Sequence, residues 1–148
     1  MPAVQTSYSA TRAAGFAGMI ADTYHPTGVI SRSVKAAMTF GSIACESGVD
    51  DQVQGVDASH LKFVGVVAAD SAAYGAGVAN TYAANETAPI LRQGVILVTA
   101  SVAVAAGDAA YFTSAGAITN VPTSNTAIPN GRFDMSAGAG ALVPLRIG

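Results

Sequence analysis

Residues 107–119 read Gly107-Asp108-Ala109-Ala110-Tyr111-Phe112-Thr113-Ser114-Ala115-Gly116-Ala117-Ile118-Thr119, and this run decides the fold class. Gly107-Asp108 makes a turn, Ala109–Thr113 reads as a strand, and Ser114-Ala115-Gly116 is a tight connection to the next one. Gly116 supplies the left-handed backbone that a three-residue hairpin loop requires. The same grammar extends in both directions. Upstream, Gly94–Val104 is an apolar run, read as one long strand or as two joined by a bend near Thr99–Ser101. Downstream, Pro122, Pro129 and Asn130-Gly131 punctuate what reads as a surface loop, Val121–Met135. Val143, Leu145 and Ile147 then alternate with Pro144 and Arg146 in a terminal strand. Pro144 has no N–H to give a ladder, so this strand is expected at an edge or a bulge.

The first half repeats the pattern. Val29–Lys35 and Ala37–Cys45 read as strands, Glu46–Asp57 as an acidic loop, and Gly75-Ala76-Gly77 as a turn. Leu61–Ala68 is apolar on both faces and is expected in the middle of a sheet. No long stretch carries the 3.6-residue periodicity of an amphipathic helix. The expected fold is all-β, a compact jelly-roll-like sandwich or a small barrel. Residues 1–24 stand apart from this single β domain of residues 25–148. There Val4, Tyr8, Phe16, Met19 and Ile20 lie among Gly15, Gly18 and small residues without clean periodicity. They form an extended N-terminal arm, whose apolar side chains must dock on the arm's own domain or on a neighbour.

Composition sharpens the functional question. Of 148 residues, 51% are hydrophobic and only 11% charged, against roughly 25% charged in ordinary domains. Seven basic and nine acidic residues cover thinly a surface expected to be on the order of 7,000 Å². Large uncharged areas mark interaction sites, so an oligomer or a partner-bound protein is expected. The net charge is −2 and the Lys and Arg residues are scattered singly. No basic stripe exists to neutralise a phosphate backbone, which argues against direct nucleic-acid binding. The most apolar run, Val95–Ala106, is shorter than the roughly 18 residues of a membrane span, so no membrane partner is expected.

Site chemistry is sparse. Cys45 is the sole cysteine, which rules out an intrachain disulfide or a zinc cluster of cysteines. Beside Cys45, the parts for catalysis reduce to His25, His60 and scattered Asp residues, with no G-x-S-x-G elbow and no motif around the thiol. Glu46, Asp50, Asp51 and Asp57 miss the spacing of a calcium loop. Gly75-Ala76-Gly77 lacks the third glycine of a dinucleotide fingerprint. No catalytic residue, metal or cofactor is expected.

The order of short motifs resembles the structural cement proteins that decorate the heads of tailed phages. The matching pieces are Tyr8 with Gly15-Phe16-Ala17-Gly18-Met19-Ile20-Ala21-Asp22, Thr39-Phe40-Gly41-Ser42-Ile43-Ala44 and Lys62-Phe63-Val64-Gly65-Val66-Val67. Gly94-Val95-Ile96-Leu97-Val98 and Gly107-Asp108-Ala109-Ala110-Tyr111-Phe112 complete the series. The resemblance implies a compact β domain, made in the host cytoplasm, that sits on the outer surface of the virion capsid. There it would bind the major capsid protein, bridge capsomers and strengthen the shell, with no catalytic residues to carry over. The expected contacts to capsid or neighbouring subunit are the arm residues Val4, Tyr8, Phe16, Met19 and Ile20. Self-association as a homotrimer or homodimer is also expected. The competing readings are another virion subunit, such as a tail or head-fibre base, and a small-ligand β-barrel. Few aromatic residues and no Trp are available to line the pocket of the latter.

Overall fold

A computed structural model describes residues 15–22, 26–70 and 80–148. Among them are twelve strands and no helix. The first six are β1 (Ile20–Asp22), β2 (Gly28–Val34), β3 (Met38–Thr39), β4 (Ile43–Glu46), β5 (Gln52–Gln54) and β6 (Phe63–Val67). The rest are β7 (Thr81–Tyr82), β8 (Thr87–Thr99), β9 (Ala109–Phe112), β10 (Ile118–Thr119), β11 (Thr126–Phe133) and β12 (Leu142–Ile147).

Five strands close a ring. β2 pairs antiparallel with β8 and parallel with β5, β5 with β4, β4 with β6, and β6 returns to β8. Successive side chains alternate across each strand. One face sends Val34, Ala44, Val53, Val67, Ala88 and Ile90 into one buried cluster. Each of the five strands contributes, so this cluster is the barrel lumen. The side chains are small or β-branched because so narrow a barrel has little interior to fill. Closure itself needs Gly65. A Cβ there would run into the Leu91 carbonyl oxygen and the Ile90 side chain of β8. Beyond the lumen, β3 and β7 form a two-stranded cap, with the Phe40 and Tyr82 rings 5.3 Å apart. The buried Tyr82 hydroxyl donates to the Ala68 carbonyl at 2.9 Å.

β8 is thirteen residues long and serves two sheets. Its pairing with β2 ends at Gln93↔Gly28, and its pairing with β12 begins at Gly94↔Ile147. Gly94 takes a φ of +130° at this junction, a backbone that a side chain would oppose. From there the second sheet runs β8-β12-β11-β9-β10. A bridge from Ile118 to Ala100, with the Ser101 N–H donating to Ile118 O at 2.8 Å, curls its last strand back toward the end of β8. Its inner row, Phe133–Leu145–Ile96–Ile20, runs in register through four strands. That row packs with Phe112 and Val143, and with Ile43, Cys45, Val66 and Leu91 from the outer face of the barrel. Two cores thus sit on opposite faces of β4, β6 and the first half of β8.

The 107–119 hairpin forms as expected. Phe112 faces Ile118 across it, Gly116 has a φ of +85°, and the Thr113 N–H donates to Ala117 O at 2.9 Å. Of the two expected architectures the small barrel is found, extended by further strands. Other expectations are corrected. The terminal strand β12 is no edge, because β8 and β11 flank it. Pro144 is tolerated for a local reason. Its carbonyl accepts from Asp134 N–H at 3.0 Å, and in an antiparallel ladder N and C=O of one residue point the same way. Its nitrogen therefore faces past the Phe133↔Leu145 pair, where no ladder bond is lost. Residues 121–135 are not all loop, since β11 occupies most of them. Pro129 and Asn130, the latter at φ +54°, fall in its irregular stretch between Ala127 and Arg132. The acidic stretch contains β5, the run 37–45 breaks at Gly41 (φ +77°), and the strand expected to start at Gly94 starts at Thr87. The turn at Gly75-Ala76-Gly77 lies outside the described residues.

Candidate interaction surfaces

The arm is the first candidate. Val4 and Tyr8 lie outside the described residues; Phe16, Met19 and Ile20 fall within them. Gly18 N–H donates to Leu97 O at 2.8 Å, Leu97 N–H to Met19 O at 2.9 Å, and Ala69 N–H to Gly18 O at 2.8 Å. Two glycines make that approach possible. A Cβ on Gly18 (φ +86°) would stand 2.7 Å from the Phe40 Cβ, and one on Gly41 would stand 2.8 Å from the Ala17 Cβ. Residues 15–22 are therefore latched onto the barrel and onto β8. Within this latch Ile20 turns toward the second core, and the Met19 thioether lies beside Gly15. Phe16 is left 47% exposed. Next to the latch runs a shallow, uncharged groove of about 320 Å³, lined by Ala17, Thr39, Ser42, Thr99, Gly116 and Ile118 among others.

The outward face of the second sheet is the other candidate. One registered row crosses it as Ala109–Arg132–Arg146–Val95–Asp22, exposed at Ala109, Arg132 and Arg146 and buried at Val95. Arg132 and Arg146 are directly opposed on neighbouring strands. Arg146 Nη2 lies 3.1 Å from Asp134, and Arg132 Nη1 donates to the Gly107 carbonyl at 3.5 Å. Sequence reasoning missed this face because Arg132 fell in a stretch read as loop. The alternation of Arg146 with Leu145 and Ile147 was the available signal for half of it.

The residues with chemical potential are engaged structurally. Cys45 is buried, and burial, followed by the nearby Asp57 and Glu46 carboxylates, pushes its thiol up to about 11. That is the reverse of an activated thiolate. His60 Nδ1 lies 2.9 Å from both Asp57 oxygens. Asp57 also accepts from the Ser59 and His60 N–H groups and from Gln54 Nε2. The bond from the His60 ring, and then that from Ser59, hold the Asp57 carboxyl below its usual value. This is a turn lock that fixes residues 54–60. Asp108 plays the same part before β9. It accepts from the Ala105 N–H at 2.9 Å and from Asn120 Nδ2 at 2.7 Å, and those bonds lower its carboxyl in that order. Asp51 turns to Arg32 at 3.5 Å. His25 lies outside the described residues.

A family model described as structural cement protein (E217 gp24/Pam3 gp6) matches residues 4–148. Among solved structures, a chain from the capsid of Myoviridae phage XM1 superposes with a TM-score of 0.71 at 15% identity, over 97% of this chain and 98% of that one. The N base of the head fibre gp8.5 of bacteriophage phi29 gives a TM-score of 0.54 at 16% identity, over 83% of this chain and 95% of that one. No curated protein matches in sequence.

Proposed function

The chain belongs to the structural cement protein family, and on that premise we propose how a phage capsid component that stabilises its shell makes its contacts. It sits on the outer capsid surface, binds the major capsid protein and bridges neighbouring capsomers. The arm is the element that reaches across. The observation that supports this is the latch. Residues 15–22 are pinned by backbone bonds and by the Gly18–Gly41 approach, yet Phe16 is left exposed. A latch of that kind gives Val4, Tyr8 and Phe16 a fixed anchor from which to engage a neighbour. Fully burying one large apolar side chain contributes roughly 1.5–3 kcal/mol, less the cost of ordering the chain. A single arm therefore binds weakly, and repetition over the shell supplies the avidity. The role is non-catalytic. A buried thiol pushed up to about 11 and a His60–Asp57 pair spent on a turn support that reading.

The test is co-sedimentation with shells lacking the chain. Deleting residues 2–14, or replacing Phe16→Ser, should leave a folded domain whose binding is weakened. Because the arm bears few charges, the loss should change little with salt. Binding equal to that of the intact chain would sink the arm's role. A head-fibre base is the second reading, favoured by the fold shared with the phi29 gp8.5 base. Microscopy separates the two: fibres rooted at this protein favour the base, and bare knobs favour cement.

A further inference from the structure

The outward face of the second sheet holds an arrangement that the fold alone does not explain. Arg132 and Arg146 are paired across β11 and β12, and both point away from the core between buried neighbours. Like charges directly opposed across a sheet are destabilising. Asp134 answers one of them, leaving Arg132 with a long bond to a carbonyl. Met135, in the bend just beyond the end of β11, is 59% exposed. On the barrel, the turn between β4 and β5 has the opposite character. Val49 is 59% exposed and is followed by Asp50 and Asp51. Asp51 lies 3.5 Å from Arg32 with its side chain still 86% exposed, so two carboxylates face one guanidinium and the turn keeps a surplus of acid. Val49 and Met135 are the two most exposed large apolar side chains among the described residues. One stands beside acid, the other beside surplus base.

We propose that the Val49-Asp50-Asp51 turn of one copy docks on the Arg132–Arg146 face of a second copy, with Val49 against Met135. The carboxylates relieve the opposed guanidinium pair, and the two apolar side chains cover each other. The two surfaces differ, so the contact is head-to-tail, and repetition closes a ring or extends a chain of copies. Opposite charges of this kind set orientation and speed encounter more than they add affinity. The contact does not depend on shell binding, so it stands or falls separately from the cement role.

Sedimentation equilibrium of the whole chain at low ionic strength tests it. The wild-type chain should self-associate, and salt above about 0.1 M should weaken the association, because exposed charges are then screened. Asp50→Lys with Asp51→Lys should weaken it by about tenfold or more, and so should Arg132→Glu with Arg146→Glu. An equimolar mixture of the two variants should associate again, because each turn then meets a face of opposite charge. Val49→Ser, which leaves every charge in place, should weaken association as well. A wild-type chain that stays monomeric at all concentrations overturns the proposal. So does a mixture of folded variants that fails to recover. If the Arg132 and Arg146 changes alter only co-sedimentation with shells, the face belongs to the shell and the proposal is wrong.

Discussion

The two halves of β8 serve cores built by different rules. The half from Thr87 to Leu91 belongs to a barrel whose five ring strands send small and β-branched side chains into the lumen, with Met38, Phe40 and Tyr82 closing it as a cap. The half from Gly94 to Thr99 belongs to a curled sheet whose core includes Phe112, Phe133 and Leu145. The barrel depends on close backbone approach, at Gly65 above all. The second sheet depends on bulk. One core should resist enlargement and the other truncation, although a single strand runs through both.

Truncating the second core should therefore have the largest effect. Phe133 is fully buried, and Phe133→Ala should cost about 3–5 kcal/mol of unfolding free energy in urea. In the barrel the damaging change is an addition. Gly65→Ala places a methyl group against the Leu91 carbonyl and should cost about 1–3 kcal/mol. Because the halves share β8, both variants should unfold in one transition. Two separable transitions, with each variant moving only its own, would show that the cores are independent domains.

Each half also carries one carboxylate lock, Asp57 beside the barrel and Asp108 at the second sheet. Both carboxyls lie below the ordinary value of 3.8 in the folded chain. A depressed folded value means that the contribution is fully present above pH 3.8 and is lost as pH falls below it through the folded value. Asp57→Asn and Asp108→Asn should each flatten the acid arm of stability against pH: each variant is less stable than the wild type above about pH 5, and the two converge as pH falls through the folded value. Both groups are exposed, so the effect is small. A variant that tracks the wild type down to pH 2 would show that its lock contributes nothing. The smallest signal comes from Cys45. Its thiol is buried where the barrel's outer face meets the second core. Alkylation at pH 8 should be far slower than that of a free thiol and should accelerate in Gly65→Ala. Rapid labelling of the wild type would contradict so closed an interface.

The same contrast governs what was legible in the sequence. The 107–119 hairpin could be read because Gly107, Gly116 and the alternation of Ala110 and Phe112 act within a few residues of one another. The barrel could be inferred only as one of two all-β options, since its closure is non-local. The parallel pairing of β5 with β2 leaves Val53 as the one apolar residue of a strand that otherwise reads as loop. Gly65 looked like any strand glycine until Leu91 was placed behind it. Pro144 misled in the other direction, because its tolerance depends on β11 ending at Phe133. In the arm, the apolar residues and glycines were visible as a set. The division of work between Ile20, which turns inward, and Phe16, which stays out, depends on the register with Ile96. The opposed arginines were hidden for the same reason, because register across strands is absent from a linear pattern.

A structural cement protein reinforces a phage shell by binding to it. The direct measurement is the temperature at which capsids lacking the chain rupture and release their DNA, before and after the purified chain is added back. Saturable binding with a rise in the rupture temperature, reduced when residues 2–14 are deleted, is the predicted result. Capsids that bind none of the chain, or that bind it and rupture at an unchanged temperature, would contradict the account.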